Sequence, residues 1–261
     1  MTAIQPFANR HGFLVFCAIT FAIGLPLFGL FPLASPVLQF PLLIVGSYAP
    51  ALAALITTGI SPDPQARPAL IARLLRWRAL GPWFFFALLI PTITCLGVFL
   101  GFDLGRGLAW LSGLAALPVI FLANYGEEAG WRGYALPRLM QDRSAFEASL
   151  WLGLVWTIFH APLYWNRPLE GLLLLGPILP LSVLIAWFFV STGGSVLVCT
   201  LFHATFNTWV LALASPTSTT ILFVALTLIN AILAVVLWRA SGPNLGGDPA
   251  IVKPGRPPTS R

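Results

Sequence analysis

The chain has 261 residues, of which 58% are hydrophobic and only 8% charged, with a mean hydropathy of +0.88. A water-soluble domain typically carries about 25% charged residues, so an ordinary soluble enzyme is excluded. A transmembrane barrel is excluded too, because it needs alternating segments of about ten residues and the apolar runs here are continuous. The composition predicts an all-α, polytopic transmembrane helical bundle. The net charge of +6 is spread over loops between apolar runs rather than gathered on one surface. That distribution points to the lipid bilayer as partner and not to nucleic acid.

A membrane span needs about twenty apolar residues. In chain order the candidates are Phe13 to Phe31, Leu38 to Ile60, Trp83 to Phe102, and Leu108 to about Tyr134. Phe146 to Trp165, Leu172 to Val190, Ser195 to Ala214 and Thr220 to Trp238 follow. The expectation is about eight spans. The first follows Arg10 and His11 like a signal peptide, yet it outruns the usual apolar region of roughly 7–15 residues, so a retained anchor is expected. Between the second and third spans, Leu70 to Arg78 mixes apolar and basic residues. It reads either as a helix lying at the interface, with Trp77 at headgroup level, or as a basic loop. Cys17, Cys95 and Cys199 are odd in number and sit in apolar runs, which suits core packing rather than a disulfide framework. Residues 1–240 are thus expected to form one membrane domain. The Pro- and Gly-rich residues 241–261 are expected to be a disordered cytoplasmic tail.

Charge placement tests the span count independently. Eight spans put both termini and every second loop on one side, which then holds Arg10, Arg67, Arg73, Arg76, Arg78, Arg132, Arg138, Arg143, Arg239, Lys253, Arg256 and Arg261. The other side holds Arg106 and Arg167. By the positive-inside rule this predicts a multi-pass protein of the cell membrane with both termini cytoplasmic.

Three polar clusters interrupt the apolar runs: Glu127-Glu128-Ala129-Gly130-Trp131-Arg132, Trp156-Thr157-Ile158-Phe159-His160 and His203-Ala204-Thr205-Phe206-Asn207. Ionisable groups at bilayer depth are costly, so their default reading is functional. On a helix, Glu128 and Arg132 are four apart and share a face, whereas Glu127 points about 100° away. One carboxylate is then structural and the other is left for chemistry. At 1.5 Å per residue, Glu127 lies roughly 16 Å below Arg138, inside the membrane. Taken singly, each cluster also reads as a device that joins helices. Together they supply a carboxylate and an imidazole able to hold one water as a general-base pair. They also supply His203 and Asn207 on one helix face as donors to a developing oxyanion. That set suffices to hydrolyse an amide without a covalent nucleophile.

The clusters, in this order and on separate spans, resemble the motifs Glu-Glu-x-x-x-Arg, Phe-x-x-x-His and His-x-x-x-Asn. These mark the CAAX protease and bacteriocin-processing family of intramembrane peptidases, also called the abortive-infection family. The resemblance covers about Leu108 to Ala214, residues 108–214, and departs from the pattern at Trp156, where the archetype has Phe. It implies that Glu127 and His160 activate water, that Glu128 and Arg132 support the site, and that His203 and Asn207 form the oxyanion hole. It implies a peptide or protein substrate in or at the membrane, in CAAX-type or bacteriocin and peptide processing. No cofactor is favoured. A divalent metal such as zinc, held by Glu127, His160 and His203, is the alternative, but these residues come from three helices and lack the local spacing of a zinc motif.

The leading expectation is therefore an endopeptidase cutting a peptide near the cytoplasmic face. Two alternatives are a non-catalytic membrane protein that binds a peptide or confers bacteriocin immunity, and a transporter using Glu127 and His160 as a proton relay. The transporter lacks the mirrored halves usual for that architecture.

Overall fold

A computed structural model describes residues 4–79, 81–101, 111–214 and 219–248, and the described regular structure is helical. The chain starts with α1 (Ile4–Leu30), which carries a kink at His11. A single 3-10 turn leads to α2 (Pro36–Ser47) and α3 (Ala49–Gly59). The short α4 (Ala66–Leu74) precedes the long α5 (Gly81–Gly101). Then come α6 (Leu111–Leu114) and α7 (Leu117–Gly130), followed by a π-helical turn (Trp131–Ala135) and α8 (Leu136–Leu139). The second half holds α9 (Ala145–His160), α10 (Pro168–Leu175), α11 (Ile178–Ser191), α12 (Val196–Leu213) and α13 (Thr219–Ser241).

Local chemistry accounts for many of these ends. Proline opens α2, α3, α7 and α10 in their first turn, where its missing N–H costs nothing. The start of α9 is a capping box. Glu147 N donates to Ser144 Oγ at 3.3 Å, and Ser144 N donates to Glu147 Oε2 at 3.1 Å. Gly193 and Gly194 have φ of +63° and +96°, and this left-handed pair makes the tight turn from α11 to α12.

Six helical runs among the described residues are long and apolar enough to cross a membrane. They are His11–Leu33, Pro36–Gly59, Gly81–Gly101, Pro168–Ser191, Val196–Leu213 and Thr219–Ser241. The other two expected spans fall on α7–α8 and on α9, and these are the helices that bear the first two polar clusters. The fourth expected span, from Leu108, is α7 continued to Leu139 and separated from α6 by a break before Pro118. Leu108 itself lies outside the described residues. The fifth stops being α-helical at His160 and continues as a 3-10 turn through Tyr164, because Pro162 ends the regular ladder. Neither helix needs an apolar surface all round, since each is packed among neighbours: α7 against α3 and α12, α9 against α11 and α1.

Successive runs alternate in direction and give the bundle two ends. At one end Arg73 donates to the carbonyl of Gly133 at 3.1 Å, Ser195 Oγ donates to the carbonyl of Arg76 at 2.9 Å, and Phe146 N donates to the carbonyl of Pro243 at 2.9 Å. At the opposite end Trp165 Nε1 donates to the carbonyl of Gly29 at 3.0 Å. The basic segment after the second span is helical: α4 buries Leu70 while Trp77 stays exposed. Burial and the nearby Arg76 lower the Arg73 pKa to about 10, so the side chain stays charged at neutral pH. The tail expected from residue 241 holds structure for its first part. Residues 242–246 form a turn that buries Leu245, and residues 249–261 lie outside the described residues.

Candidate active site

The floor of the site is set by how closely α7 approaches the α2–α3 junction. Gly126 and Gly130 are one turn apart, and a Cβ at Gly130 would overlap Pro50. A Cβ at Gly126 would come within 2.8 Å of the Tyr48 ring and 3.0 Å of the Ser47 carbonyl. This is a small-xxx-small contact, which lets helix backbones approach inside a membrane. It brings the hydroxyl of Ser47 onto Glu127, where Oγ donates to Oε1 at 3.2 Å.

The two adjacent carboxylates have separate partners. Glu128 is fully buried. Its Oε1 accepts from Arg132 Nη1 at 2.8 Å and faces His203 Nδ1 at 2.9 Å. Arg132, also fully buried, lays its guanidinium over the Trp156 ring at 4.6 Å and donates to Ser182 Oγ at 3.4 Å. Ser182 in turn donates to the Ser149 carbonyl at 2.8 Å, tying α11 to α9. Arg132 lies in the π-helical turn, a feature frequent at functional sites.

Glu127 is 4% exposed, and among the described residues no lysine or arginine pairs with it. Its Oε2 accepts from Trp156 Nε1 at 2.9 Å and lies 3.8 Å from His160 Nε2. His160 Nδ1 is 3.0 Å from the Trp156 carbonyl. A carbonyl only accepts, so Nδ1 carries the hydrogen and Nε2 presents its lone pair. Two acceptors therefore face each other across a gap that suits one bridging water.

The third cluster is turned differently from the sequence expectation. The Glu128 carboxylate assigns the hydrogen of neutral His203 to Nδ1, and Nε2 then accepts from Asn207 Nδ2 at 3.1 Å. Both imidazole nitrogens of His203 are engaged, which leaves Asn207 with a second amide hydrogen. Among the described residues no group of three or more His, Cys, Asp or Glu is placed to hold a metal ion. The ring nitrogens of His203 face Glu128 Oε1 and Asn207 Nδ2.

A cavity of about 1030 Å³ is lined by Trp156, His160, His203 and Asn207 together with residues of α10, α11 and α13. Glu127 is not on its wall, but its Oε2 lies 3.8 Å from the Nε2 of His160, which is.

The sequence reading missed Ser47, Ser182 and the polar role of Trp156. The Gly126/Gly130 spacing was the available signal for a close helix approach. Nothing in the sequence indicated which serine would face the site.

Comparison with known proteins agrees with this constellation. Residues 107–209, which contain all three clusters, match the family model described as Type II CAAX prenyl endopeptidase Rce1-like. Over these residues the chain is similar to CAAX proteases. A relative from Methanococcus maripaludis named CAAX prenyl protease 2 is 27% identical over 191 residues, covering 64% of this chain and 70% of the relative. The protein is a multi-pass membrane protease, an endopeptidase acting on a peptide or protein substrate within an all-α helical bundle.

Proposed function

We propose that the protease hydrolyses its peptide bond with a water held between Glu127 and His160. The observation that carries this reading is the 3.8 Å gap between Glu127 Oε2 and His160 Nε2, with His160 Nδ1 committed to a backbone carbonyl. A water in that gap donates one hydrogen to each acceptor and turns a lone pair outward. As its oxygen bonds to the substrate carbonyl carbon, Glu127 takes a proton, a general-base step typically worth 10²–10⁴-fold. The carbonyl oxygen becomes an oxyanion, and the second amide hydrogen of Asn207 stabilises it, with His203 holding Asn207 in place. Collapse of the tetrahedral intermediate breaks the C–N bond. The proton held by Glu127 passes to the departing nitrogen, the second water proton passes from the new carboxyl group to the amine, and a carboxylate and an ammonium group leave.

The Glu128–Arg132–His203 cluster supports this chemistry without entering it. Arg132 cancels the charge of Glu128, while Ser47 and Trp156 hold Glu127 by hydrogen bonds alone. Glu127 thus keeps its carboxylate clear of any cationic partner among the described residues, in a buried setting where preorganised groups act most strongly. No step passes through a metal. Similarity to the named relative suggests a C-terminal CAAX-type sequence as substrate, and the motifs also fit peptide or bacteriocin processing.

The test is purified protein in detergent, assayed against farnesylated and unmodified peptides beside Glu127→Ala. Cleavage by the parent and none by the variant is expected. Equal cleavage by both would remove Glu127 from the mechanism.

A further inference from the structure

A second pocket lies where the chain turns from α8 into α9. Its volume is about 410 Å³, within the roughly 300–1,000 Å³ usual for ligand sites. Its wall comes from α1, α8, the turn after α8 and α9, and it shares no residue with the cavity that holds His160 and Asn207. None of its residues enters the proposed hydrolysis.

Two arginines line it, and local structure fixes both. Arg138 stands in the last turn of α8 beside α1, where Gly12 leaves room for it. A Cβ on Gly12 would come within 3.2 Å of Arg138 Nη2 and 2.8 Å of the Tyr134 hydroxyl. Arg143 immediately precedes Ser144, the cap of α9. Its guanidinium lies over the Trp151 ring, 5.9 Å from the ring centre. An arginine within about 6 Å of an indole face is attracted to it, so this charge is held at the wall although the side chain is exposed. Among the described lining residues Asp142 is the one acid, and it is exposed. Two arginines against one aspartate leave the wall positive, before any proton is added to His11.

The rest of the rim is apolar. Leu14 is 60% exposed and Trp151 54%. From them run two exposed strips, Leu14, Ala18 and Ala22 on α1 and Trp151, Leu154 and Ile158 on α9. Spacings of three and four residues keep each strip on one helix face. A basic pocket that gives onto apolar helix faces matches an amphiphile with an anionic head, whereas a soluble anion uses only the basic half.

We propose that this pocket binds the phosphate headgroup of an anionic phospholipid, whose acyl chains lie along the apolar strips of α1 and α9. The planar fork of arginine suits phosphate oxygens, and basic pockets between membrane helices take such headgroups. Trp151 supplies the amphipathic ring usual at headgroup level. Bound there, the lipid ties the first helix to the turn between α8 and α9.

Thermal unfolding of the purified full-length chain in neutral detergent tests this. Phosphatidylglycerol, phosphatidylcholine or inorganic phosphate is added, and a ligand of the native state raises Tm with its concentration. Phosphatidylglycerol should raise Tm and the other two should not. Arg143→Gln removes an exposed side chain and should fold normally, which its Tm without lipid verifies. It should raise the phosphatidylglycerol concentration that gives half the shift roughly fivefold, the effect typical of one basic residue at a lipid surface. Arg239→Gln is the control, because Arg239 is also exposed and lies over Trp238 at 5.2 Å but lines no part of the pocket. It should respond to phosphatidylglycerol like the parent. An equal shift with phosphatidylcholine or with inorganic phosphate would overturn the proposal. An unchanged response in Arg143→Gln, or an equal loss in Arg239→Gln, would overturn it as well.

Discussion

The indole N–H of Trp156 donates to the same carboxylate oxygen of Glu127 that faces His160, at 2.9 Å, and the Trp156 carbonyl accepts from the other nitrogen of that histidine. One residue thus sets both halves of the proposed base pair. Its ring face also carries the Arg132 guanidinium. Where the family archetype has Phe, this chain has an aromatic residue with a polar hand.

Trp156→Phe separates these roles, because the ring and the backbone carbonyl stay while the N–H goes. A hydrogen bond to a charged group is worth about 1.5–3 kcal/mol, so kcat should fall about ten- to a hundredfold with little change in KM. Steady-state kinetics on the folded protein checks this. A variant that loses heat stability but keeps kcat would make Trp156 a packing residue only.

Glu127→Gln should abolish hydrolysis while leaving folding nearly intact. The amide keeps the shape and still accepts from Ser47 or Trp156, but it cannot take the proton of the water. Turnover and thermal unfolding in detergent, measured side by side, decide the matter. Near-normal turnover would sink the proposed role.

Arg132→Ala should cost both activity and stability. Its removal leaves Glu128 buried without its arginine partner, and breaking a buried pair from one side typically costs about 3–5 kcal/mol. The melting temperature should drop clearly below that of Glu127→Gln. Equal heat stability of the two variants would show that Glu128 is compensated by another group.

Asn207→Ala should reduce kcat by roughly two to three orders of magnitude with a modest change in KM, because an oxyanion donor acts where charge develops. His203→Ala should lower kcat through Asn207 and leave the metal content of the protein unchanged. Elemental analysis of parent and variant provides the check. Stoichiometric zinc in the parent that disappears in His203→Ala would recast the imidazole as a ligand.

What the sequence by itself determined is what one helix can hold. Near-continuous apolar runs identified a polytopic helical bundle, because lipid demands internally satisfied backbone and an apolar exterior. The four-residue spacings foretold that Glu128 would meet Arg132 and that His203 and Asn207 would share one helix face, since 3.6 residues per turn fixes such neighbours whatever the packing. The three clusters also carried the resemblance to CAAX proteases in local words. Tertiary structure alone decided the rest. Ser47 and Trp156 face Glu127, Ser182 faces Arg132, and His203 turns its Nδ1 to Glu128, each across an interface between helices. Such meetings depend on the rotation and separation of whole helices. These are set by contacts like that of Gly130 with Pro50, summed over many side chains and carried by no single spacing in the chain.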